Sequence, residues 1–180
     1  MLGFIGQNIE YRSWDVLLTL YKALVRPHLE YCVQFWSLYY RKDIIKLERV
    51  HKRFTRMLPG LDGLSYKERL DRLGLFSLER RRLRGDLVEV YKIMRGIDQL
   101  DNQYLFLKIG ESKTEGYRFK VRGERYKSVQ RGNFFTQRVV SVWNKLSEVV
   151  VEVGTILSFK KHFDSYMGKM RYGPNVNKWD

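Results

Sequence analysis

The sequence predicts a mainly α-helical protein, a helical bundle with one small basic β-hairpin in its C-terminal half. Three observations carry that prediction. Apolar residues recur at three- and four-residue spacing through most of the chain, N-cap residues and glycines punctuate those stretches, and strict apolar/basic alternation occurs only around Tyr117 to Arg122. Of the 180 residues, 44% are hydrophobic and 14% aromatic, enough for one sizeable core or two small ones and too much for a disordered chain.

The elements follow in chain order. Ser13 precedes Trp14 and Asp15 as an N-cap with an acidic first turn, and Leu17, Leu20, Tyr21 and Leu24 then recur at helical spacing. Pro27 predicts an interruption with a bend at Arg26, because the residue before proline is steered out of the α region. A second short helix is expected to carry Leu29, Cys32, Val33 and Trp36.

From Asp43, the residues Ile44, Leu47, Val50, Phe54 and Met57 form one apolar stripe, with Lys46, Arg49, Lys52, Arg53 and Arg56 around the rest of the helix. Pro59-Gly60 and Asp62-Gly63 end it. Ser65-Tyr66-Lys67-Glu68 reads as a capping box for a short helix through Leu73 that Gly74 closes. Ser77 caps an arginine-rich helix whose core stripe is Leu83, Leu87, Val90, Tyr91 and Met94, with Gly96 as its C′ residue. Gly85 costs that helix about 1 kcal/mol relative to alanine, which suggests a close approach by another helix or a phosphate.

Residues 98–116 lack period and read as a loop or linker between a helical region, 1–97, and a C-terminal region, 117–170. In the latter, Tyr117, Phe119 and Val121 alternate with Arg118, Lys120 and Arg122; Gly123-Glu124 and Arg125-Tyr126-Lys127-Ser128-Val129 complete the hairpin pattern. Asn133 is expected to cap a helix with the stripe Phe135, Val139, Val142, Trp143 and Leu146. Thr155 opens another carrying Ile156, Phe159, Phe163 and Met167. Residues 171–180 read as a tail.

Thirty-four Lys and Arg against twenty Asp and Glu leave a formal charge of +14, so polyanions are the expected partners. One cysteine, Cys32, excludes an internal disulfide, and the start has no secretory pattern; both point to a reducing, intracellular compartment, nuclear or cytoplasmic. The apolar stretch from Val16 to Val25 is interrupted by Lys22 and falls short of the roughly 20 residues of a spanning helix, so no membrane is expected as a partner.

No catalytic constellation emerges. His28, His51 and His162 are isolated in sequence, and Cys32 has no second thiol, so no metal site is expected. His51, among Arg49, Lys52 and Arg53, is placed on a solvated helix face, and His162 on the polar side of the last helix. The chain has no phosphate-binding glycine loop and no Asp-Asp dipeptide, whereas two-metal phosphoryl transfer needs clustered carboxylates. No cofactor and no small-molecule substrate are expected, and the chain is not expected to be an enzyme on its own. The cations instead recur on both basic helices and the hairpin, where Tyr117, Phe119 and Tyr126 are interleaved with them.

Two long segments, Leu20-Tyr21-Lys22-Ala23-Leu24-Val25-Arg26-Pro27-His28-Leu29-Glu30-Tyr31-Cys32 and Phe76-Ser77-Leu78-Glu79-Arg80-Arg81-Arg82-Leu83-Arg84-Gly85-Asp86-Leu87, resemble one family. The likeness continues in Tyr91-Lys92-Ile93-Met94-Arg95-Gly96, Phe134-Phe135-Thr136-Gln137-Arg138-Val139-Val140, Val142-Trp143-Asn144 and Phe159-Lys160-Lys161. The family is that of the reverse transcriptases of non-LTR retrotransposons, the long interspersed elements of vertebrate genomes, and the chain resembles their C-terminal part, the thumb and the region beyond it. Leu38 after Ser37 and Ser147 after Leu146 depart from the pattern, which usually has proline there.

The resemblance implies a thumb-like helical element over 1–97 that grips a template-primer duplex. The catalytic aspartates, their magnesium and the endonuclease would belong to regions upstream. Leu2-Gly3-Phe4-Ile5 resembles mid-domain family sequence, which implies a reading frame that once continued upstream. RNA, DNA or an RNA-DNA duplex is then the expected partner. By position on the polar faces, Arg49, Arg53, Arg80, Arg81 and Arg84 are the first candidates for phosphate contact, and Arg118, Lys120 and Arg125 the next. The alternative is a helical protein-interaction or self-association module, left from a decayed or co-opted element copy, that packs on the missing polymerase domains or on itself. Polymerase activity supplemented by a separate palm is a third, weaker reading.

Overall fold

The computed structural model describes residues 1–98, the backbone of 107–108, and residues 119–168. The protein is mainly helical, as its sequence predicts. Its helices are α1 (Leu2–Asn8), α2 (Trp14–Leu20), α3 (Arg26–Glu30), α4 (Arg41–Arg56), α5 (Tyr66–Arg72) and α6 (Leu78–Met94). Four short turns of helix and a longer one follow: α7 (Val129–Gly132), α8 (Phe135–Arg138), α9 (Val140–Trp143), α10 (Glu148–Val151) and α11 (Ile156–Tyr166).

The chain divides into two compact units. One contains Met1–Cys32 and Leu38–Arg82, the other Val33–Ser37 and Leu83–Lys169. The first turn of α6 therefore belongs to one unit and its remainder to the other. The expected linker, 98–116, lies outside the described residues apart from Asp98 and the two-residue strand at Leu107–Lys108.

In the first unit, Leu17, Tyr21, Val25, Leu29, Phe54, Leu58, Tyr66 and Leu70 form the core. Ser13 caps α2 by accepting from the Val16 N–H at 3.4 Å. Pro27 does not bend the chain as expected. Tyr21–Val25 instead form a π-helical turn, and Arg26, with φ −59° and ψ −40°, stays in the α region. The wider turn absorbs the proline that lacks an N–H, and it inserts one residue into the register. Val25 consequently turns inward, while Leu24, expected in the core, is exposed. The helix then stops at Glu30, so Cys32 and Val33 lie in a turn, with Trp36 just beyond it, and not on a second helix.

The capping box at Ser65 is present in both directions, with the Ser65 N–H donating to Glu68 at 2.8 Å and the Glu68 N–H to the Ser65 hydroxyl at 3.3 Å. Serine hydrogen bonding holds the exposed Glu68 carboxyl below the usual range. At the end of α6, Gly96 has φ +65°, the Ile97 N–H reaches the Lys92 carbonyl at 2.9 Å, and the Gly96 N–H reaches Ile93 at 3.1 Å. This is a Schellman closure at the position the sequence marks. Gly85 departs from expectation: a Cβ there would meet nothing within 4 Å, so no close approach among the described residues explains it.

The second unit packs Leu87, Val90, Tyr91 and Met94 of α6 against Val139, Trp143, Phe159 and Phe163. Tyr91 stacks on Phe159 at 4.4 Å between ring centroids, and the Trp143 indole N–H donates to the Phe119 carbonyl at 2.7 Å. The strand signal is real but small and differently paired. Val121–Arg122 pairs antiparallel with Leu107–Lys108, in the register Leu107 to Arg122 and Lys108 to Val121. The Asn144 amide bonds both the N–H and the carbonyl of Val121, at 3.1 and 2.8 Å, acting as a side-chain strand partner.

The expected second arm, Arg125 to Val129, is not a strand. Ser128 accepts from the Arg131 N–H at 3.2 Å and opens α7 at that point. Asn133 ends α7 and does not cap the next helix, whereas Thr155 caps α11 as expected, accepting from the Ser158 N–H at 3.1 Å. Residues 171–180 lie outside the described residues.

Candidate nucleic-acid interface

α4 is amphipathic in an unusual way. Its most buried side chains are Glu48, His51, Phe54 and Thr55, with Leu47 and Val50 only half-buried beside them. His51 is thus not on a solvated face: it is 1% exposed. Its ring centroid is 5.4 Å from Tyr21 and 6.2 Å from Tyr66, and neither ring nitrogen has a hydrogen-bond partner among the described residues. Burial, reinforced by the charges of Arg81 and Arg26, holds its pKa down at about 3, so the imidazole is neutral.

Glu48 has a structural task. Its carboxylate accepts the Leu78 N–H at 3.0 Å, the Glu79 N–H at 3.1 Å and the Tyr66 hydroxyl. The Arg80 N–H turns to the Ser77 hydroxyl at 3.3 Å. Together these groups satisfy the first three N–H donors of α6 and place a negative charge at its positive end. Burial pushes the Glu48 carboxyl up, against the opposing effect of its bonds from Tyr66, Leu78 and Glu79, and burial followed by the Glu48 charge pushes the Tyr66 phenol well above its ordinary value.

With Glu48 and His51 turned inward, the opposite face of α4 is fixed. Lys42, Lys46, Arg49, Arg53 and Arg56 recur at three- and four-residue spacing, and all five are exposed. At about 1.5 Å per residue they make a cationic stripe about 21 Å long. Lys46 pairs with Asp43 at 3.1 Å. Arg49, Arg53 and Arg56 have no carboxylate partner among the described residues, and Lys42 lies 5.4 Å from the Tyr40 ring centroid. Tyr39 and Tyr40, both exposed, stand 4.9 Å apart just before the first turn.

The arginines of α6 are placed otherwise. Arg80 is 6% exposed. Arg81 forms a fork on Glu30, through Nε and through Nη2 at 3.0 Å. Arg82 donates to the Leu29 carbonyl at 2.9 Å. Arg84 forms a fork on Asp164 at 2.6 and 2.8 Å. Of the eight candidate cations, Arg49 and Arg53 therefore share one exposed face, and Arg80, Arg81 and Arg84 are held in buried or bidentate contacts. Lys120 is half-buried, Arg125 is exposed elsewhere, and Arg118 lies outside the described residues.

Sequence reasoning placed Lys46 and Arg56 on the polar side of this helix without choosing them as phosphate contacts, and it began the helix at Asp43, one residue after Lys42. It also passed over Arg138, whose fork on Asp86 at 2.8 and 3.1 Å and bonds to the Val33 and Asn133 carbonyls, both at 3.1 Å, no local pattern announces.

Among the described residues no three His, Cys, Asp or Glu side chains converge as metal ligands, and no helix is long and apolar enough to cross a membrane. Comparisons with protein-family models, curated proteins and solved structures return no match.

Proposed function

We propose that the chain binds nucleic acid through its phosphate backbone, as a thumb-like segment of a non-LTR retrotransposon reverse transcriptase would grip a template-primer duplex, and that α4 supplies the contact surface. The observation that carries this reading is the exposed stripe of Lys42, Lys46, Arg49, Arg53 and Arg56. A straight row of cations, spaced about 5–6 Å apart, follows a phosphate backbone without reading bases. Arginine forks suit phosphate oxygens, and Arg49, Arg53 and Arg56 have no competing carboxylate among the described residues. Arg125 is a secondary contact. Arg80, Arg81 and Arg84 serve the fold and leave the list of phosphate contacts. Chemistry on the bound duplex, in this reading, belongs to other polypeptide.

Gel-shift titration of the chain with DNA duplex, RNA and RNA-DNA hybrid at low and moderate salt tests the proposal. The expected result is binding at low salt that weakens steeply as salt rises, through counterion release. Absence of binding at low salt, or affinity indifferent to salt, contradicts it. A protein-interaction or self-association reading draws on exposed apolar side chains such as Phe35, Val149 and Leu157, which are 91%, 72% and 64% exposed. Oligomers that persist at high salt in a chain with no nucleic-acid affinity would favour that reading.

A further inference from the structure

The stripe on α4 does not end on open surface. Its last two arginines, Arg53 and Arg56, line a cavity of about 380 Å³ that residues of α1 and α2 also line. Arg12 lines it too, and Leu2 and Met57 supply apolar wall. No carboxylate lines the cavity among the described residues.

The three guanidiniums are differently held. Arg12 is anchored, its Nη2 donating to the Gly6 carbonyl at 2.8 Å and its Nε to Ile9 at 3.4 Å. These are carbonyls at the C-terminal end of α1, where a cation is favoured. Its Nη1 amino group has no acceptor among the described residues, and neither do Arg53 and Arg56. A concave site with three cations, no acid and an apolar wall takes an anion that carries an apolar body.

We infer that this cavity binds a nucleoside monophosphate group, its phosphomonoester among Arg12, Arg53 and Arg56 and its base against Leu2 and Met57. Two features select that chemistry. A phosphomonoester carries about −1.5 to −2 charges at neutral pH, which matches three guanidiniums better than the single charge of an internal phosphodiester. The volume lies near the lower end of the roughly 300–1,000 Å³ of small-ligand sites, so one nucleotide fits and a duplex does not. The group can come from a free nucleotide or from the phosphorylated end of a strand lying along α4. The second source rests on the reading of α4 given above; the first does not.

The test uses the full chain and two kinds of probe. Calorimetric titration compares adenosine monophosphate, adenosine and inorganic phosphate. Fluorescence anisotropy compares one labelled single strand carrying a 5′-phosphate, a 3′-phosphate or hydroxyls at both ends. The inference expects adenosine monophosphate to bind more tightly than either of its parts. A strand-end source adds a preference of about tenfold for a phosphorylated strand, the size of one charge-assisted arginine fork. Binding of the mononucleotide without that preference assigns the cavity to free nucleotide and still supports it.

Gly3→Asp supplies the control. Gly3 lines the cavity in the first turn of α1, has open space around it, and tolerates an acid there because the helix start favours one. This variant is expected to lose mononucleotide binding and end preference together, and Arg56→Gln to weaken both. Equal binding of inorganic phosphate and the mononucleotide, no binding of either with no end preference, or a nucleotide affinity untouched in both variants would overturn the inference. Salt-dependent binding of the hydroxyl-ended strand is read separately and reports on α4 alone.

Discussion

α4 and the first turns of α6 are both arginine-rich, and their cations do opposite things. On α4 a buried carboxylate and a buried neutral histidine occupy the inner face, leaving Arg49, Arg53 and Arg56 exposed, without acid partners among the described residues. On α6 the arginines reach into the structure, Arg81 to Glu30, Arg82 to the Leu29 carbonyl and Arg84 to Asp164. Positive charge in a sequence does not by itself mark a binding surface. What separates the two helices is whether distant parts of the chain supply acceptors, and for α6 these stand about fifty and eighty residues away.

The contrast can be broken first at Glu48, which connects the two helices. Glu48→Ala would strand the Leu78 and Glu79 N–H groups and the Tyr66 hydroxyl in a buried site, with an expected loss of about 3 kcal/mol in denaturant unfolding. Glu48→Gln keeps an acceptor oxygen and should lose less. Equal stability in the alanine variant and the natural chain would remove Glu48 as the seat of α6.

His51 gives a pH signature to the same inner face. Its folded pKa of about 3 lies below its ordinary value of 6.5, so across that window the unfolded chain holds a proton that the folded chain does not. Stability therefore falls as pH falls, at up to about 1.4 kcal/mol per pH unit from this group. The raised carboxyl of Glu48 acts with the opposite sign, favouring the folded chain as it protonates. His51→Leu should flatten the acid limb by about one proton's worth of slope, and an unchanged slope in unfolding titrations between pH 6.5 and 4 would contradict the assignment.

Two smaller effects sharpen the picture of α6. Arg84→Gln should cost about 1 kcal/mol, because the Asp164 side chain is 36% exposed and solvent screens the pair, and it should leave duplex affinity unchanged. Gly85→Ala should stabilise by about 1 kcal/mol, since helix propensity favours alanine and no atom of the described residues stands in its way. Destabilisation by Gly85→Ala would mean that the site meets something the described residues do not include.

Local chemistry was legible in the sequence. Ser13, Ser65, Ser77 and Thr155 cap the helices they precede, and Gly96 closes α6, because caps depend on residues three or four positions away. Long-range partners were not. Nothing near His51 or Glu48 distinguishes them from their exposed neighbours; Tyr66, Leu78 and Tyr21 bury them from elsewhere in the chain. The π turn before Pro27 was hidden because pre-proline preference is local, while packing of Val25 and Leu29 is not. For the candidate interface, the helix and two of its five cations were identified, and the α6 arginines were misplaced for the same reason.

The direct test of the α4 account is the salt dependence of duplex affinity in three chains: the natural one, Arg49→Ala/Arg53→Ala/Arg56→Ala, and Arg81→Gln/Arg84→Gln. Five phosphate contacts predict a slope of log K against log salt of about −4.5 for B-form DNA, reduced in magnitude by about 2.7 when three are removed. The account predicts that reduction in the α4 variant and none in the α6 variant. A slope that falls in the α6 variant and persists in the α4 variant would contradict it.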